Sequence, residues 1–277
     1  MQLFSSWTGS DFLLFYIALL GFSTFAAWWM PAHLRSGGRR GDSADAESLA
    51  LLAGGRERFA DALLADLYVR GGLAPGEAGT LSVTDPRLPS TPAGRAVLAF
   101  EGPLTLKEAR ALLDAHAERL AARLQRSGLL LRPDEVSRLR WLSVAPFAAL
   151  LMIGFYRERA GSALGEPTGF LVALMGLTAV IALIRFFMSD PRTQAGIAEV
   201  AHHKAAAQRF ARAPRADEVS MAVALFGTGV LVGTPWEPVH ALRQQNSSGD
   251  SGGGDSGSST SDSGGGDGGG GCGGCGG

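Results

Sequence analysis

The chain has 277 residues, of which 46% are hydrophobic, and its formal net charge is −1 at pH 7. This balance excludes a general electrostatic attraction to nucleic acid or to anionic lipid. Both cysteines, Cys272 and Cys275, lie within the last six residues, so the fold is not held together by disulfide bonds.

The first predicted element is an apolar helix over Phe12–Met30 with the length of a membrane span. Its 19 residues contain only Ser23 and Thr24 as polar interruptions, and it ends in the aromatic pair Trp28-Trp29. Neither Lys nor Arg precedes it, so it lacks the charged start of a secretory signal peptide. We therefore expect this helix to remain in the mature protein.

A mostly helical insert is predicted to follow. Helices are expected over roughly 44–53 and 56–70, separated at Gly54-Gly55. The alternation of Leu81 and Val83 then predicts a short strand of a β-hairpin.

Two helix starts in the insert carry capping signals. Thr91-Pro92 combines an N-cap residue with a first-turn proline. Thr105 and Glu108 have the spacing of a capping box, which predicts a long helix to about Arg126. His116 falls on the apolar face of that helix, where a residue at the edge of the core is expected rather than a metal ligand.

Two helices of the insert end in the same pattern, Arg70-Gly71-Gly72-Leu73 and Arg126-Ser127-Gly128-Leu129. One interpretation is a duplicated unit of winged-helix type, and the other is that glycine simply ends helices. Residues 32–140 contain 16 Lys and Arg against 14 Asp and Glu, without a basic stripe. The sequence therefore predicts no nucleic-acid partner, and a protein-interaction role for the insert is favoured.

Two further spans are predicted. A helix that starts at Asp134-Glu135 is expected to run into Trp141–Tyr156, whose 16 residues reach only about 24 Å against a hydrocarbon core of roughly 30 Å. Pro146 is expected to kink this segment. Gly169–Met188 has a full spanning length of 20 residues, and Arg185 near its end is expected to reach toward the interface.

Arginines flank these spans unequally, and the basic residues are nearly all arginine, as in GC-rich bacterial genomes. The loop between the second and third spans carries two arginines and two glutamates. The other side carries more arginines: Arg35, Arg39, Arg40, Arg132, Arg138, Arg140, Arg185 and Arg192. The positive-inside rule predicts a multi-pass protein of the bacterial inner membrane, with the N-terminus outside and both the insert and the chain after residue 189 in the cytoplasm.

The stretch before the tail is predicted to associate with the membrane. A helix over about 193–213 carries His202-His203 and Glu199, without a complete zinc pattern, and its basic residues suit the membrane surface. Val219–Gly233 is an apolar run of 15 residues, for which an interfacial or re-entrant position is favoured. If it crossed the membrane, the tail would lie outside.

The tail, Ser247–Gly277, contains only Gly, Ser, Asp and one Thr besides its two cysteines, which predicts disorder. The surrounding glycines exclude the helix N-terminus that activates a redox cysteine pair. A structural zinc site needs four ligands, so a metal held by Cys272 and Cys275 would need two tails or a partner. The alternatives are thiols that a partner modifies, and cysteines that arose by chance in a low-complexity segment.

By its layout, with the Phe12–Met30 helix and the Cys-bearing tail as its distinctive parts, the chain resembles an uncharacterised family of bacterial membrane proteins. Members carry a variable cytoplasmic region between the first two spans and a Gly/Ser-rich C-terminus that often bears cysteines. The resemblance implies a membrane location, and it assigns neither an activity nor site residues.

The sequence thus predicts a mainly α protein with three transmembrane helices, a small helical cytoplasmic insert, winged-helix-like and with one short β-hairpin, and a disordered C-terminal tail. The predicted divisions are an N-terminal transmembrane helix (1–31), the cytoplasmic helical domain (32–140), a transmembrane hairpin (141–188), a membrane-associated region (189–246) and the tail (247–277).

The leading hypothesis for function is a non-enzymatic membrane protein that presents its tail for modification, metal capture or partner binding. The expected partners are the lipid bilayer and a protein or tail-modifying enzyme. No nucleotide-binding or nucleophile motif is present, so neither an enzyme nor a cofactor is predicted. The alternatives are an interaction scaffold that acts through the insert, and an accessory subunit of a transport or export system.

Overall fold

The computed structural model describes residues 9–39, 45–163, 169–188, 190–212 and 214–248. These residues form a mainly helical structure with one two-stranded antiparallel sheet. The elements are α1 (Gly9–Leu34), α2 (Ala46–Val69), β1 (Leu73–Pro75), β2 (Leu81–Val83), α3 (Pro92–Leu98), α4 (Leu106–Arg126), α5 (Pro133–Ala163), α6 (Gly169–Phe187), α7 (Gln194–Ala206), α8 (Val219–Phe226) and α9 (Glu237–Ser248).

Three helices, α1, α5 and α6, are long and apolar enough to cross a membrane, and we call them the apolar bundle. α5 packs against both α1 and α6. The Tyr16 hydroxyl of α1 lies 3.3 Å from Oγ1 of Thr178 in α6, both side chains being buried. Large apolar side chains on the outer faces of these helices, such as Trp28 and Phe170, remain exposed. An outer surface of this kind is suited to contact with lipid.

The second predicted span is longer than the sequence indicated. The helix predicted to start at Asp134-Glu135 does continue into Trp141–Tyr156, and Pro146 lies inside it. α5 has 31 residues, which at 1.5 Å per residue gives about 46 Å. The helix therefore extends beyond the apolar segment at both ends through turns that carry arginine and glutamate. The shortfall of the 16-residue apolar part against the hydrocarbon core stays a prediction.

Residues on either side of the α5–α6 hairpin form a helical domain, which comprises 45–131 and 190–248 apart from residue 213. Its helices begin where the sequence signals lie. Thr91 accepts a hydrogen bond from the backbone N–H of Gly94, and Thr105 and Glu108 form the predicted capping box. The break at Gly54-Gly55 is also confirmed, since both glycines have non-helical backbone angles inside α2.

The predicted β-hairpin is present and short. β1 and β2 pair antiparallel, with Leu73 opposite Val83 and Pro75 opposite Leu81. Leu81 also exchanges two backbone hydrogen bonds of 2.8 Å with Leu104, which ties the hairpin to the start of α4. The second Arg-x-Gly-Leu segment is different, because Leu130 forms an isolated bridge with Arg192 and no hairpin follows it. The interpretation of a duplicated winged-helix-type unit is therefore wrong for this segment.

The apolar run Val219–Gly233 belongs to the core of this domain. Val219, Val223 and Ala224 are fully buried, in one cluster with side chains of α2 and α4. Protein covers the buried residues of this run, and the membrane-associated position predicted for it stays a prediction. α8, of 8 residues, is also about 12 Å long and too short to cross a bilayer.

Residues from before and after the α5–α6 hairpin share one hydrophobic core, although the sequence predicted separate regions there. Leu63 of α2, Leu113 of α4 and Val239 of α9 are buried in the same cluster as Val223. The region 189–246 is thus the second half of the domain that 45–131 begins. The helix predicted over 193–213 ends earlier, at Ala206.

Three segments meet where the domain joins the apolar bundle, and we call this place the junction (residues 35–39, 128–131 and 190–196, all within the described ranges). The backbone N–H groups of Gln194 and Ala195 donate to carbonyls of Ser36 and Gly37 at 3.2 and 3.0 Å. Leu131 donates to the carbonyl of Pro191 at 2.8 Å. The junction therefore links the ends of α1, α4 and α6 by backbone hydrogen bonds.

Replacing Gly196 by alanine should destabilise the junction. A Cβ atom at this position would overlap the carbonyl oxygen of Leu129. Because this contact joins two backbone segments, neither can move away without disturbing its own hydrogen bonds. We expect a loss of about 1–3 kcal/mol in the free energy of unfolding, as for overpacked cores, measured by chemical denaturation in detergent. Gly229→Ala is the matched control, because nothing lies within 4 Å of its added Cβ. Equal losses in the two variants would contradict the close contact.

Candidate functional sites

The predicted thiol site, Cys272 and Cys275, lies outside the described residues. The structure does describe α9, whose last residue, Ser248, belongs to the tail segment. The attachment of α9 to the domain therefore determines where the tail starts.

Apolar contacts hold one face of α9. Val239 is 8% exposed, and Trp236 and Leu242 pack against the same core cluster. Gln245 of α9 approaches Gly79 beside the hairpin, where an added Cβ would lie 2.8 Å from the side-chain oxygen of Gln245. α9 is thus a docked element of the domain.

An ion-pair network fixes the same face of α9, because Arg243 lies one helical turn after Val239. Asp61 of α2 is 2% exposed, and one of its oxygens pairs closely with Arg243 of α9. The other oxygen lies 3.8 Å from Nη2 of Arg110 in α4. Glu57 contacts the same two arginines, at 3.6 Å from Arg110 and 3.4 Å from Arg243. Two carboxylates of α2 therefore bridge α4 and α9.

Burial raises the pKa of the Asp61 carboxyl above its ordinary value, although the positive charges of Arg243 and Arg110 act in the opposite direction. Desolvation penalises the charged form, and the arginines offset part of that penalty. Asp61 consequently depends on its two cations, and the loss of either one leaves a buried carboxylate without adequate compensation.

The histidines singled out from the sequence lie apart from this network. Nε2 of His203 is 3.2 Å from Oε1 of Glu199, one helical turn away as predicted. His116 is half-buried, and desolvation and the nearby Arg119 lower its pKa. Within the described part of the chain, no three His, Cys, Asp or Glu side chains come together as a potential metal site.

A shallow groove of about 910 Å³ runs between the hairpin and the segment that follows α3. Glu77 and Glu101 give it negative charge, and Val83, Leu98 and Phe100 supply apolar surface. A groove that combines charged side chains with apolar surface is suited to transient contact with another protein.

A second space, of about 550 Å³, lies between the apolar bundle and the domain, and we call it the boundary cavity. Its apolar wall includes Trp28 and Met188, and its polar wall includes Arg35, Arg185 and Asp190. The Arg185 side chain donates to the carbonyl of Ala27 in α1 at 2.8 and 3.2 Å. The expectation that Arg185 reaches toward the interface is therefore incomplete, because its guanidinium bonds to a neighbouring helix.

The sequence predicted neither the ion-pair network around Asp61 nor the charged wall of the boundary cavity. Asp61 and Arg243 are 182 positions apart, and no local spacing connects residues at that distance. One signal was available, since Asp61 interrupts the otherwise apolar stretch Phe59–Leu64 of α2. A lone acid in such a stretch indicates a buried charge that needs a cation.

Comparison with protein-family models, with curated proteins and with solved structures finds no significant match to this chain.

Proposed function

We propose that this chain is a non-enzymatic protein of the bacterial inner membrane that presents a flexible, Cys-bearing tail from a docked helix at the cytoplasmic face. The observation that carries the proposal is the attachment of α9, whose Arg243 pairs with the buried Asp61 and whose Val239 lies in the core. A docked α9 gives the tail a defined starting point.

The shared core supports one topology. Leu63 and Val223 belong to one cluster, and the α5–α6 hairpin lies between them in the chain. Two residues in one core lie on the same side of a membrane, so an even number of spans separates them. With α1, α5 and α6 as spans, the tail starts on the side of the domain. The arginines around the junction favour the cytoplasm for that side.

The composition of the tail supports its role as an arm. It has no apolar residue besides the cysteines to offset an ordering cost of about 1–2 kcal/mol per residue. A glycine-rich chain of this length averages roughly 30 Å from end to end. Cys272 and Cys275 can therefore reach neighbouring proteins and the membrane surface. Modification, capture of a metal between two tails, and binding by a partner all use this reach.

Mass spectrometry of the intact protein from its native host tests the proposal. We expect a covalent mass shift, or a metal retained under native conditions, that is lost when both cysteines are replaced by serine. The control replaces Ser258 and Ser259 by alanine, which changes the same tail without removing a thiol. Unmodified cysteines without metal, together with no cellular phenotype of the serine variant, would contradict the proposal.

The groove beside the hairpin favours a second candidate, a membrane-anchored scaffold that binds a protein through the domain. Glu77 and Glu101 would select a partner segment with positive charge. Deletion of residues 247–277 separates the two candidates. Loss of the cellular phenotype supports the tail, whereas a retained phenotype that Glu77→Arg with Glu101→Arg abolishes supports the groove.

A further inference from the structure

We propose that the boundary cavity binds one anionic phospholipid, with the phosphate between Arg35 and Arg185 and the acyl chains along the apolar wall. This inference uses the membrane location proposed above but not the tail, so the tail can fail its test without affecting it.

The charges around the cavity leave a positive surplus. The cavity wall contains the two arginines and one carboxylate, that of Asp190. Asp190 is already engaged by Arg192, whose Nη2 lies 2.9 Å away, and by Arg35, whose Nη1 lies 3.3 Å away. Arg185 has no carboxylate partner among the described residues, only the carbonyl of Ala27. A cation of this kind, away from bulk water, favours an anion beside it.

The remaining donors suit a phosphate group. The Arg35 side chain is 13% exposed, and its Nε is buried without a hydrogen-bond partner among the described residues. Such a donor costs free energy unless something accepts its proton. Phosphate oxygens accept several hydrogen bonds from guanidinium groups at once, and these bonds are stronger than those between neutral groups.

The rest of the wall is apolar and continuous with the outer surface of the bundle. Trp28, Trp29 and Met188 are exposed to between 50% and 75%, where a bilayer would contact them. The wall extends inward along Val136 and Leu139 of α5 and Ile197 of α7. A free phosphate compound would leave this surface uncovered, whereas acyl chains would cover it. The combination of an apolar entrance and half-buried cations therefore favours a phospholipid.

Native mass spectrometry of the full-length, delipidated protein in detergent tests the site. The probes are phosphatidylglycerol, phosphatidylcholine and glycerol phosphate. We expect one phosphatidylglycerol to be retained about tenfold more strongly than phosphatidylcholine, and glycerol phosphate not to bind. The preference should disappear when Arg35 and Arg185 are both replaced by glutamine. It should persist in Arg159→Gln, which removes one positive charge at the far end of α5.

A second variant guards against misfolding of the arginine variant. Ile197→Trp fills the apolar wall and keeps both arginines, so it should reduce retention of phosphatidylglycerol without changing the charge. The proposal is overturned if Arg159→Gln loses the preference equally, if Ile197→Trp retains the lipid as the wild type does, or if glycerol phosphate binds as well as the lipid. The last result would identify a site for a free anion.

Discussion

Replacing Val223 by aspartate should unfold the helical domain. Val223 is fully buried in the cluster that joins α8 to α2 and α4. A carboxylate there would lie among the buried apolar side chains of this cluster. Burying it would cost several kcal/mol, comparable with the whole stability of a small domain. We expect the variant to lose its cooperative unfolding transition and to be cleaved rapidly by protease in detergent solution.

The control for this prediction lies in the same apolar run. Val232 is 56% exposed, so Val232→Asp should change the stability by no more than about 0.5 kcal/mol. A run that lay in lipid would tolerate neither charge, and a run on the protein surface would tolerate both. Similar behaviour of the two variants would therefore contradict the placement of α8 in the domain core.

Arg243→Ala should release α9 from the domain. The substitution removes the closest cation from Asp61, which is 2% exposed, and breaking a buried pair in this way costs about 3–5 kcal/mol. The partial exposure of Arg243, 31%, places the expected value toward the lower end. Hydrogen exchange should show faster exchange of the α9 amides in the variant, and thermal unfolding should show the loss of stability.

The loss of stability in Arg243→Ala should depend on pH. Burial already raises the pKa of Asp61, and without Arg243 that pKa rises further. A folded-state pKa above the unfolded value of about 3.9 gives a stabilising contribution below pH 4 that is lost as the pH rises through the folded value. The variant should therefore differ least from the wild type near pH 4 and most at pH 7.

Arg56→Ala is the matched control for this variant. Arg56 also faces two carboxylates, Asp114 and Glu118, but all three side chains are more than half exposed. Exposed ion pairs contribute about 0–1 kcal/mol, so the control should be nearly as stable as the wild type. Equal losses in Arg56→Ala and Arg243→Ala would show that the burial of Asp61 does not matter.

Local signals in the sequence predicted local structure well. The caps at Thr91 and Thr105, the break at Gly54-Gly55 and the strand at Leu81 each depend on residues within one or two turns of one another. The three apolar helices were equally visible, because their length and composition distinguish them from the rest of the chain.

The placement of Val219–Gly233 was not predictable in the same way. An apolar run of fifteen residues has the same composition whether lipid or protein covers it. The buried residues of this run pack against α2, which lies about 150 positions earlier in the sequence. The Asp61–Arg243 pair and the boundary cavity depend on the same closure of the domain across the α5–α6 hairpin. Sequence patterns therefore gave the elements, whereas the charged sites arise from how distant elements pack.

The central claim is that the tail thiols lie on the same side of the membrane as the helical domain and opposite the α5–α6 connection. Labelling of spheroplasts with a membrane-impermeant maleimide tests it directly. Unmodified, metal-free Cys272 and Cys275 should react only after permeabilisation. The variant Glu101→Cys, with both native cysteines replaced by serine, should behave in the same way. A cysteine at Ser162 in the same background should react in intact spheroplasts. Reaction of the native tail cysteines in intact spheroplasts would contradict the account.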